Sequence, residues 1–419
     1  MSTSTHSPYP ALFDPKRHEP LVAAAWNDTA VRAWIARYVD DAHDTFSASD
    51  LWPAHSLDLD GEDPGVAFTR IDCGAAGVIW ALDHLARAGA AARAADFMPV
   101  IEELEARNTA QVEPKGHGIE GLLAGRSGIL LLQHQLAMDR AASAADTDAI
   151  AAGIAAAVAN NAGHPSLELL WGSPGTMHVA LTMHERTGEA RWAELFRADA
   201  DALWRTFLPA DDAPCRLWTQ PLWGRKQKMT GAGHGFAGNA SALIRGRALL
   251  PEAAWTPWAD GIVETAHATA LREGLLANWP PETKPHGTPP KILVQWCHGA
   301  PGMVTSLARL PDPRLDELLT AAAELTWVAG PLEKGAGLCH GTAGNGYAFL
   351  KLHARTGDDL WLDRARAFAM HAMTQSDRMA EQHGRRRHSL WTGDPGVACY
   401  LWSCITGDDA LPNLDPAAH

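Results

Sequence analysis

The sequence predicts an all-α protein in which seven helical hairpins close into one α/α toroid. Alanine, leucine and tryptophan are abundant, whereas the alternating runs of Val, Ile and Thr that are typical of strands are scarce. The pattern G-x-x-G recurs seven times, and an apolar segment follows every copy. Recurrence at near-regular spacing is typical of folds that are built from repeated structural units.

The seven glycine motifs, called glycine turns below, start between 42 and 64 residues apart. They are GAAG (74–77), GRSG (125–128), GSPG (172–175), GFAG (235–238), GAPG (299–302), GTAG (341–344) and GDPG (393–396). The segments that follow them, such as ILLLQHQLA and NGYAFLKLHA, are apolar on nearly every side. They therefore predict buried inner helices.

Amphipathic stretches with charged faces lie between the glycine turns, for example at 190–207 and 359–373. They predict an outer layer of helices. One hairpin cannot bury its apolar inner helix alone, but seven hairpins that close into a ring can. We expect a single domain at 41–405, preceded by an N-terminal segment with the first outer helix (1–40) and followed by a C-terminal tail (406–419).

Two wide gaps between the motifs contain long loops, at 208–233 and 278–291. Proline forbids regular helix in the second loop, and the Trp- and Arg-bearing clusters of the first favour a folded loop. Because loops of this length are usually functional or disordered, we expect both to lie over the mouth of the ring, where the glycine turns meet. Helix N-termini leave free backbone N–H groups, so the mouth is expected to accept a metal or an anionic substrate.

The composition excludes several classes of function. A formal net charge of −14 argues against nucleic acid as the main partner, and no run of eighteen apolar residues predicts a membrane span. The N-terminus lacks the basic-then-apolar order of a secretory signal, so we expect a cytoplasmic protein. Six cysteines in 419 residues do not make a disulfide framework. We expect four of them to be small buried hydrophobic residues: Cys73, Cys215, Cys399 and Cys404.

The other two cysteines predict a metal site. Cys297 and Cys339 stand at equivalent places in adjacent repeats, and a His follows each of them. Two thiolates and the imidazole of His340 are a suitable ligand set for one Zn²⁺ per chain, with the fourth position open for catalysis. His298 is a second imidazole in the same pattern. The alternative is that both cysteines are buried and inert, which is common for this residue.

Further polar residues flank the glycine turns. His234 directly precedes the fourth turn and is a candidate proton donor, or else a residue that only caps the turn. Glu168, ahead of the third turn, is a candidate acid or orienting carboxylate, or else a surface residue. Local positive charge in an acidic protein indicates carboxylate or phosphate binding, or else ordinary solvated charge. These cations are Lys334, Arg225, Lys226, Lys228, and Arg385 to Arg387 beside His388. We expect His84, His134 and His178 to be core residues.

Four segments of the sequence strongly resemble the lanthionine synthetase C-like family. They are ELLWGSPG (168–175), GHGFAGN (233–239), QWCHGAPG (295–302) and GLCHGTAGNGYAFL (337–350). The resemblance extends from about residue 65 to residue 402, and the last two motifs are highly specific. The sequences of these two motifs are more similar to the glutathione-binding LanC-like branch than to the cyclases of the nisin type.

The resemblance implies a seven-hairpin toroid with zinc bound by Cys297, Cys339 and His340. It implies that Lys334 and Arg386 hold glutathione, although the match of Arg386 is ambiguous by one position. It further implies addition of a thiol, from glutathione or a peptide Cys, to dehydroalanine or dehydrobutyrine in a peptide or protein. His234 would supply the proton that the product needs at its α-carbon.

The sequence departs from the nisin-type cyclases in three respects. It has no room for their inserted small domain, it has Glu168 where they use Asp, and KILVQWC lacks their Arg upstream of the first zinc Cys. Lanthionine ring formation therefore stays an alternative, as does a zinc- and glutathione-binding scaffold without catalysis. A glycoside hydrolase with Glu168 and Asp394 as its two carboxylates is a further alternative. That alternative gives no role to Cys297, Cys339 and His340. The identity of the peptide and the oligomeric state stay open.

Overall fold

The structure is a computed structural model, which describes residues 12–63, 65–92, 95–113, 118–210, 214–283 and 292–416. Within these ranges the chain forms fourteen α-helices and three short β-hairpins. The outer helices are α1 (Asp28–Thr45), α3 (Met98–Val112), α5 (Ala144–Asn161), α7 (Ala190–Thr206), α9 (Glu252–Thr269), α11 (Asp316–Ala329) and α13 (Asp359–His383). The inner helices are α2 (Ala75–Arg87), α4 (Ser127–Asp139), α6 (Ser173–Thr187), α8 (Phe236–Arg245), α10 (Ala300–Leu307), α12 (Thr342–Thr356) and α14 (Asp394–Thr406).

The inner helices form a closed ring. Each inner helix packs against the next one along the chain, and α14 packs against α2. The predicted all-α toroid is therefore confirmed. The first outer helix, α1, packs against α14 and α13, so it belongs to the ring. The predicted segment boundary at residue 40 falls inside α1 and does not separate two structural units.

The two layers differ in burial as their sequences predict. In α12, every side chain from Thr342 to Leu352 is buried, as expected for a helix that is surrounded by protein. In α7, the buried residues follow helical spacing along one face. They are Trp192, Ala193, Phe196, Asp199, Ala200 and Leu203. No helix in the described part of the chain is long and apolar enough to cross a membrane.

The second glycine of every glycine turn is required by packing. A Cβ atom there would lie less than 3.0 Å from the carbonyl oxygen of the residue six positions earlier, a distance that side chains do not adopt. The glycines are Gly77, Gly128, Gly175, Gly238, Gly302, Gly344 and Gly396. Their hydrogen side chains let each inner helix begin in direct contact with the loop that precedes it.

The first long loop is folded, as predicted. It contains two antiparallel hairpins, β1 (Leu208–Pro209) with β2 (Arg216–Leu217) and β3 (Gln220–Leu222) with β4 (Arg225–Gln227). A third hairpin, β5 (Leu271–Glu273) with β6 (Leu276–Asn278), precedes the second long loop. Residues 284–291 of that loop lie outside the described residues. Its first part bridges from Glu282 to Met229, so both loops reach the fourth glycine turn.

The C-terminal segment is part of the fold rather than a free tail. Leu411 and Leu414 are buried, and Asp415 forms an ion pair with the buried Lys351 of α12 at 2.6 Å. Arg245, at the end of α8, donates to the backbone carbonyl of Leu414 at 2.7 Å. Asn413 accepts a hydrogen bond from Trp391 of the seventh turn. The segment therefore ties the C-terminal ends of inner helices to the last glycine turn.

Candidate metal centre and active site

A belt of backbone hydrogen bonds joins neighbouring glycine turns at the mouth. The residue two positions before each motif donates or accepts, as in Trp391 N to Asp72 O (2.8 Å), Cys339 N to Trp391 O (2.7 Å) and Cys297 N to Cys339 O (3.0 Å). The belt continues from Gly233 N to Cys297 O (3.3 Å). Because equivalent residues pair around the belt, cysteines forty-two positions apart become neighbours.

Cys297, Cys339 and His340 lie together at this mouth. Their ligand atoms are all within 4.8 Å of one another, and Cys297 is buried while the other two are half-buried. A tetrahedral zinc with bonds near 2.3 Å needs its sulfur ligands about 3.8 Å apart, so the donor set and its spacing fit this metal. The structure thus brings the three predicted ligands together.

A hydrogen bond joins the two thiols. The hydrogen bond from the Cys339 thiol holds the pKa of Cys297 well below its usual value, and the same contact raises the pKa of Cys339. Gln295 Nε2 donates to Cys297 Sγ at 3.0 Å, and this hydrogen bond helps to orient the sulfur. Two adjacent thiols of this kind suit a metal cation, because metal binding takes up cysteine in its deprotonated form.

His234 and Glu168 form a second, adjacent pair. His234 Nδ1 lies 2.9 Å from Glu168 Oε2, and the Glu168 carboxylate also accepts from the backbone N–H groups of Leu170 and Trp171. Burial alone would lower the pKa of His234, but the hydrogen bond and the charge of Glu168 raise it above its usual value. Glu168 therefore orients His234 and favours its protonated form.

Aromatic rings enclose the His234 imidazole. Trp171 stacks on one side with ring centroids 5.6 Å apart, and Trp223 from the β3–β4 turn lies edge-on at 5.1 Å. His298, at the position equivalent to His234 in the next turn, is 6.3 Å away. With Nδ1 engaged by Glu168, Nε2 is the ring nitrogen that a substrate can reach.

The predicted substrate-binding cations fall in different environments. Lys334 is exposed, and its positive charge is near enough to act on Cys339, one of the predicted metal ligands. Arg386 points inward instead: Nη2 donates to Asp377 at 2.8 Å, and the guanidinium lies over the ring of Trp34 at 5.1 Å. Arg386 is thus engaged within the fold.

The neighbours of Arg386 line a small cleft between the sixth and seventh turns. Its walls include His55, Gly337, Arg385, Arg387, Thr392 and Asp394. Arg387 is paired with Asp58, and Arg385 donates to the carbonyl of Ala54. The sequence left open by one position which of these arginines matches the Arg that holds glutathione in the family. The choice matters for binding, because Arg385 and Arg387 line the cleft and Arg386 does not.

The helix N-termini at the mouth are not free, contrary to the expectation from the glycine turns. The N–H groups of Ala75, Phe236, Thr342 and Asp394 each donate to the carbonyl seven residues earlier. The loop ahead of each of these four helices thus caps it, whereas Ala300 N at the start of α10 donates to the side chain of Asn278. At these turns the first backbone N–H of the inner helix is therefore not available to an anion.

The remaining polar residues behave largely as predicted. His134 and His178 are buried, and His84 is half-buried against Trp80. Asp394 is buried and accepts from Ser376 and from the backbone of Arg387, and burial raises its pKa. Both carboxylates of the glycoside hydrolase alternative, Glu168 and Asp394, are therefore committed to hydrogen bonds within the fold.

One cysteine prediction was wrong. Cys215, Cys399 and Cys404 are buried as expected, but Cys73 is partly exposed and its sulfur contacts the guanidinium of Arg70. Cys73 stands directly before the first glycine turn, the position that His234 and His340 occupy in theirs. Burial of the sulfur raises its pKa to about 12, so it stays a neutral thiol.

Sequence reasoning missed Gln295, Trp171 and Trp223. The signal for Trp171 was available, because it occupies the position directly before the third glycine motif. Gln295 and Trp223 lie outside that position, and only the folded loops bring them to the site.

Comparison with known proteins places these features in a family context. A family model for the lanthionine synthetase C-like protein matches residues 108–415. The LanC-like protein GCL1 of Arabidopsis thaliana is 40% identical over 132 residues, which cover 30% of this chain and 30% of that protein. The Glutathione S-transferase LANCL1 of Danio rerio is 38% identical over 119 residues, 26% of this chain and 28% of that protein. The chain thus matches less than a third of each relative's length.

A solved structure of Nisin cyclase resembles the whole fold. It aligns with a TM-score of 0.56 over 90% of this chain and 93% of that chain. Sequence identity in the alignment is 14%, so the likeness concerns the fold alone.

Proposed function

The chain belongs to the lanthionine synthetase C-like family, and from this premise we propose that it joins a thiol to dehydroalanine or dehydrobutyrine residues of a peptide or protein. The reaction forms a bond between sulfur and the β-carbon, and a proton is added at the α-carbon. The product is a thioether. The observation that carries the proposal is the Cys297, Cys339 and His340 set near His234, whose pKa the hydrogen bond to Glu168 raises.

One zinc ion per chain is proposed at the Cys297, Cys339 and His340 set. Zinc bound there would supply an open position at which an incoming thiol loses its proton. Gln295 fixes the orientation of Cys297, and the backbone belt fixes the distance between the two cysteines. The residues of the chain thus hold the site in shape before any substrate arrives.

His234 is proposed as the acid that protonates the α-carbon. Its Nδ1 is held by the buried carboxylate of Glu168, so the ring is fixed with Nε2 available. Glu168 acts through His234 and is a positioning residue. Trp171 covers one side of the imidazole and excludes water there.

Glutathione is the thiol that we favour, because the family resemblance maps Lys334 and Arg386 onto glutathione-holding residues. The exposed Lys334 beside Cys339 supports this choice. Arg386 is paired with Asp377, so substrate carboxylates would have to compete for it. Replacing Arg385, Arg386 and Arg387 one at a time by Lys decides which one matters: only the true partner raises the KM for glutathione. If none of the three does, carboxylate binding at this cluster is excluded.

Several finer alternatives belong to the same site. A peptide cysteine as the thiol would make the protein a lanthionine-forming cyclase, and binding without bond formation would make it a scaffold. A cytoplasmic location is proposed because all six cysteines are free and two of them belong to the metal set.

The test combines metal analysis with mass spectrometry. The purified protein is incubated with glutathione and a peptide that carries one dehydroalanine, and in parallel with a peptide that carries dehydroalanine and a distant Cys. We expect one zinc per chain and a glutathione adduct. Cys339→Ala is expected to lose both, whereas Cys399→Ala, which removes a buried cysteine of α14, keeps both.

The possible outcomes separate the alternatives. A thioether ring in the second peptide without any glutathione adduct would favour the cyclase. Glutathione binding without a thioether from either peptide would favour the scaffold. Wild-type zinc content in Cys339→Ala would falsify the metal assignment.

A further inference from the structure

The turn of the β3–β4 hairpin holds a tryptophan in a strained conformation. Trp223 and Gly224 connect Leu222 to Arg225, and both have positive φ, 52° and 72°. A two-residue turn with two positive φ angles matches the twist of the strands, but it favours Asn and Gly. A bulky side chain is disfavoured there, so a tryptophan at this position points to a role other than stability.

The strained tryptophan stands at the active-site mouth and faces solvent. Its side chain is 55% exposed, which is unusual for so large an apolar group. Its ring is nevertheless edge-on to His234, at 5.1 Å and 78°. The hairpin tip is therefore the wall of the site next to the proposed proton donor, and part of that wall is uncovered.

The strand that follows carries unpaired positive charge. Arg225 and Lys226 are exposed, and neither forms an ion pair with another described residue. Gln220, Leu222 and Gln227 are buried and anchor one face of the hairpin, and Gln220 donates to the carbonyl of Leu167. Lys226 lies opposite Pro221 on the other face, whereas Arg225, opposite Leu222, is exposed next to the turn. In a chain of net charge −14, this hairpin presents a rigid aromatic and cationic surface.

We propose that the β3–β4 hairpin docks the peptide substrate and selects dehydroamino acids with acidic neighbours. Trp223 packs on the peptide beside the reacting residue, and Arg225 and Lys226 pair with Asp or Glu side chains that flank it. The proposal rests on the proposed function for the reaction itself, but docking needs neither the zinc nor the thiol. Charge complementarity is what identifies the partner: an acidic peptide meets a local cationic patch on an acidic protein.

The test measures binding of unreactive peptides, in which Ser replaces the dehydroamino acid. Fluorescence anisotropy gives the Kd of one peptide with acidic flanks and one with basic flanks. We expect wild type to bind the acidic peptide roughly tenfold more tightly at low salt, with the preference fading as salt screens it. Arg225→Glu/Lys226→Glu is expected to reverse the preference.

Two further variants separate docking from general effects. Arg191→Glu/Arg247→Glu makes the same charge change at the other end of the helices and is expected to leave the preference unchanged. Trp223→Asn supplies a residue that the turn favours, so it is expected to raise the thermal midpoint of unfolding. The same variant is expected to bind both peptides about tenfold or more weakly, because it lacks the aromatic ring. If Trp223 had only a structural role, its replacement would leave the affinity for both peptides unchanged.

The outcomes decide the proposal independently of the chemistry. Equal affinity for both peptides in wild type and in Arg225→Glu/Lys226→Glu overturns it, as does unchanged peptide affinity in Trp223→Asn. If the expected binding pattern is found but wild type forms no thioether, the docking site stands and the proposed reaction fails.

Discussion

His234 and the proposed metal ligands show how single residues at equivalent positions come to differ in their chemistry. The seven glycine turns offer equivalent positions directly before each motif, and their side chains differ. These residues are Cys73, Ala124, Trp171, His234, His298, His340 and Thr392. The first motif glycine caps its inner helix in extended conformation in five of the seven turns, so chemistry at the mouth depends on which side chain stands at each position.

The proton-donor role predicts a selective loss for His234→Ala. His234 is no part of the predicted metal set, so zinc content should stay at the wild-type level. General acid help is typically worth 10²–10⁴-fold, so thioether formation should slow by about a hundredfold or more. The measurement is the single-turnover rate on a dehydroalanine peptide with glutathione.

A control for His234→Ala is His353→Ala, which removes a histidine from the far end of α12. It should leave both zinc and rate unchanged. An unchanged rate in His234→Ala would remove His234 from the mechanism, and a loss of zinc would show that the residue supports the metal site instead.

At the scale of the element, each hairpin depends on contact between an inner helix and its own preceding loop. In α12, a Cβ at Gly344 would fall within 3.0 Å of the Leu338 carbonyl oxygen. The atom it meets belongs to the backbone next to Cys339, so the clash cannot be relieved by a side-chain rotation. Helix packing and the placement of Cys339, a proposed metal ligand, therefore depend on the same turn.

We predict that Gly344→Ala destabilises the protein and lowers its zinc content. Overpacking of this kind costs about 1–3 kcal/mol or more, because backbone must move. Gly153→Ala is the matched control: Gly153 lies inside α5, and a Cβ there meets only Leu130 at 3.9 Å. It should stabilise by about 0.5–1 kcal/mol, since Ala is the better helix former.

Thermal unfolding measures the expected loss of stability in Gly344→Ala and the expected gain in Gly153→Ala, and metal analysis measures the zinc content of both variants. If Gly344→Ala and Gly153→Ala change the midpoint in the same direction, the steric role of the motif glycine is contradicted.

At the scale of the whole molecule, the C-terminal segment completes the ring. Lys351 is almost fully buried, and its ammonium pairs with Asp415 at 2.6 Å and Asp409 at 3.1 Å. Burial alone would raise the pKa of Asp415, but the charges of Lys351 and Arg309 hold it well below its usual value. Removing the segment would leave a buried cation without its carboxylates.

A chain that ends at Gly407 is predicted to lose about 3–5 kcal/mol of stability at neutral pH. Because the pKa of Asp415 is depressed in the fold, its contribution is present above the unfolded value near 3.9 and is lost as the pH falls. The difference between full-length and shortened chains should therefore shrink in acid. Denaturant unfolding at several pH values measures it.

Lys351→Met in the shortened chain provides the check on mechanism, because it removes the buried charge. It should recover part of the lost stability. No recovery would show that the segment acts through packing of Leu411 and Leu414 rather than through the ion pair.

The sequence by itself determined the repeat and the three residues that we propose as metal ligands. Seven copies of G-x-x-G, each followed by an apolar segment, specify seven inner helices. The second glycine of each copy is needed because a Cβ there would clash with the backbone of its own preceding loop. Cys297 and Cys339 were recognisable because the same repeat places them at equivalent positions in adjacent turns. Local periodicity is visible in a sequence because its causes are local.

Tertiary structure alone decided the rest. The sequence could not show that Arg386 turns inward to Asp377, that Trp223 reaches His234, or that the C-terminal segment pairs with Lys351. It also favoured free helix N-termini where the structure has capped ones. These features depend on contacts between residues far apart in the chain, and side-chain direction at such contacts is set by packing that no spacing rule encodes.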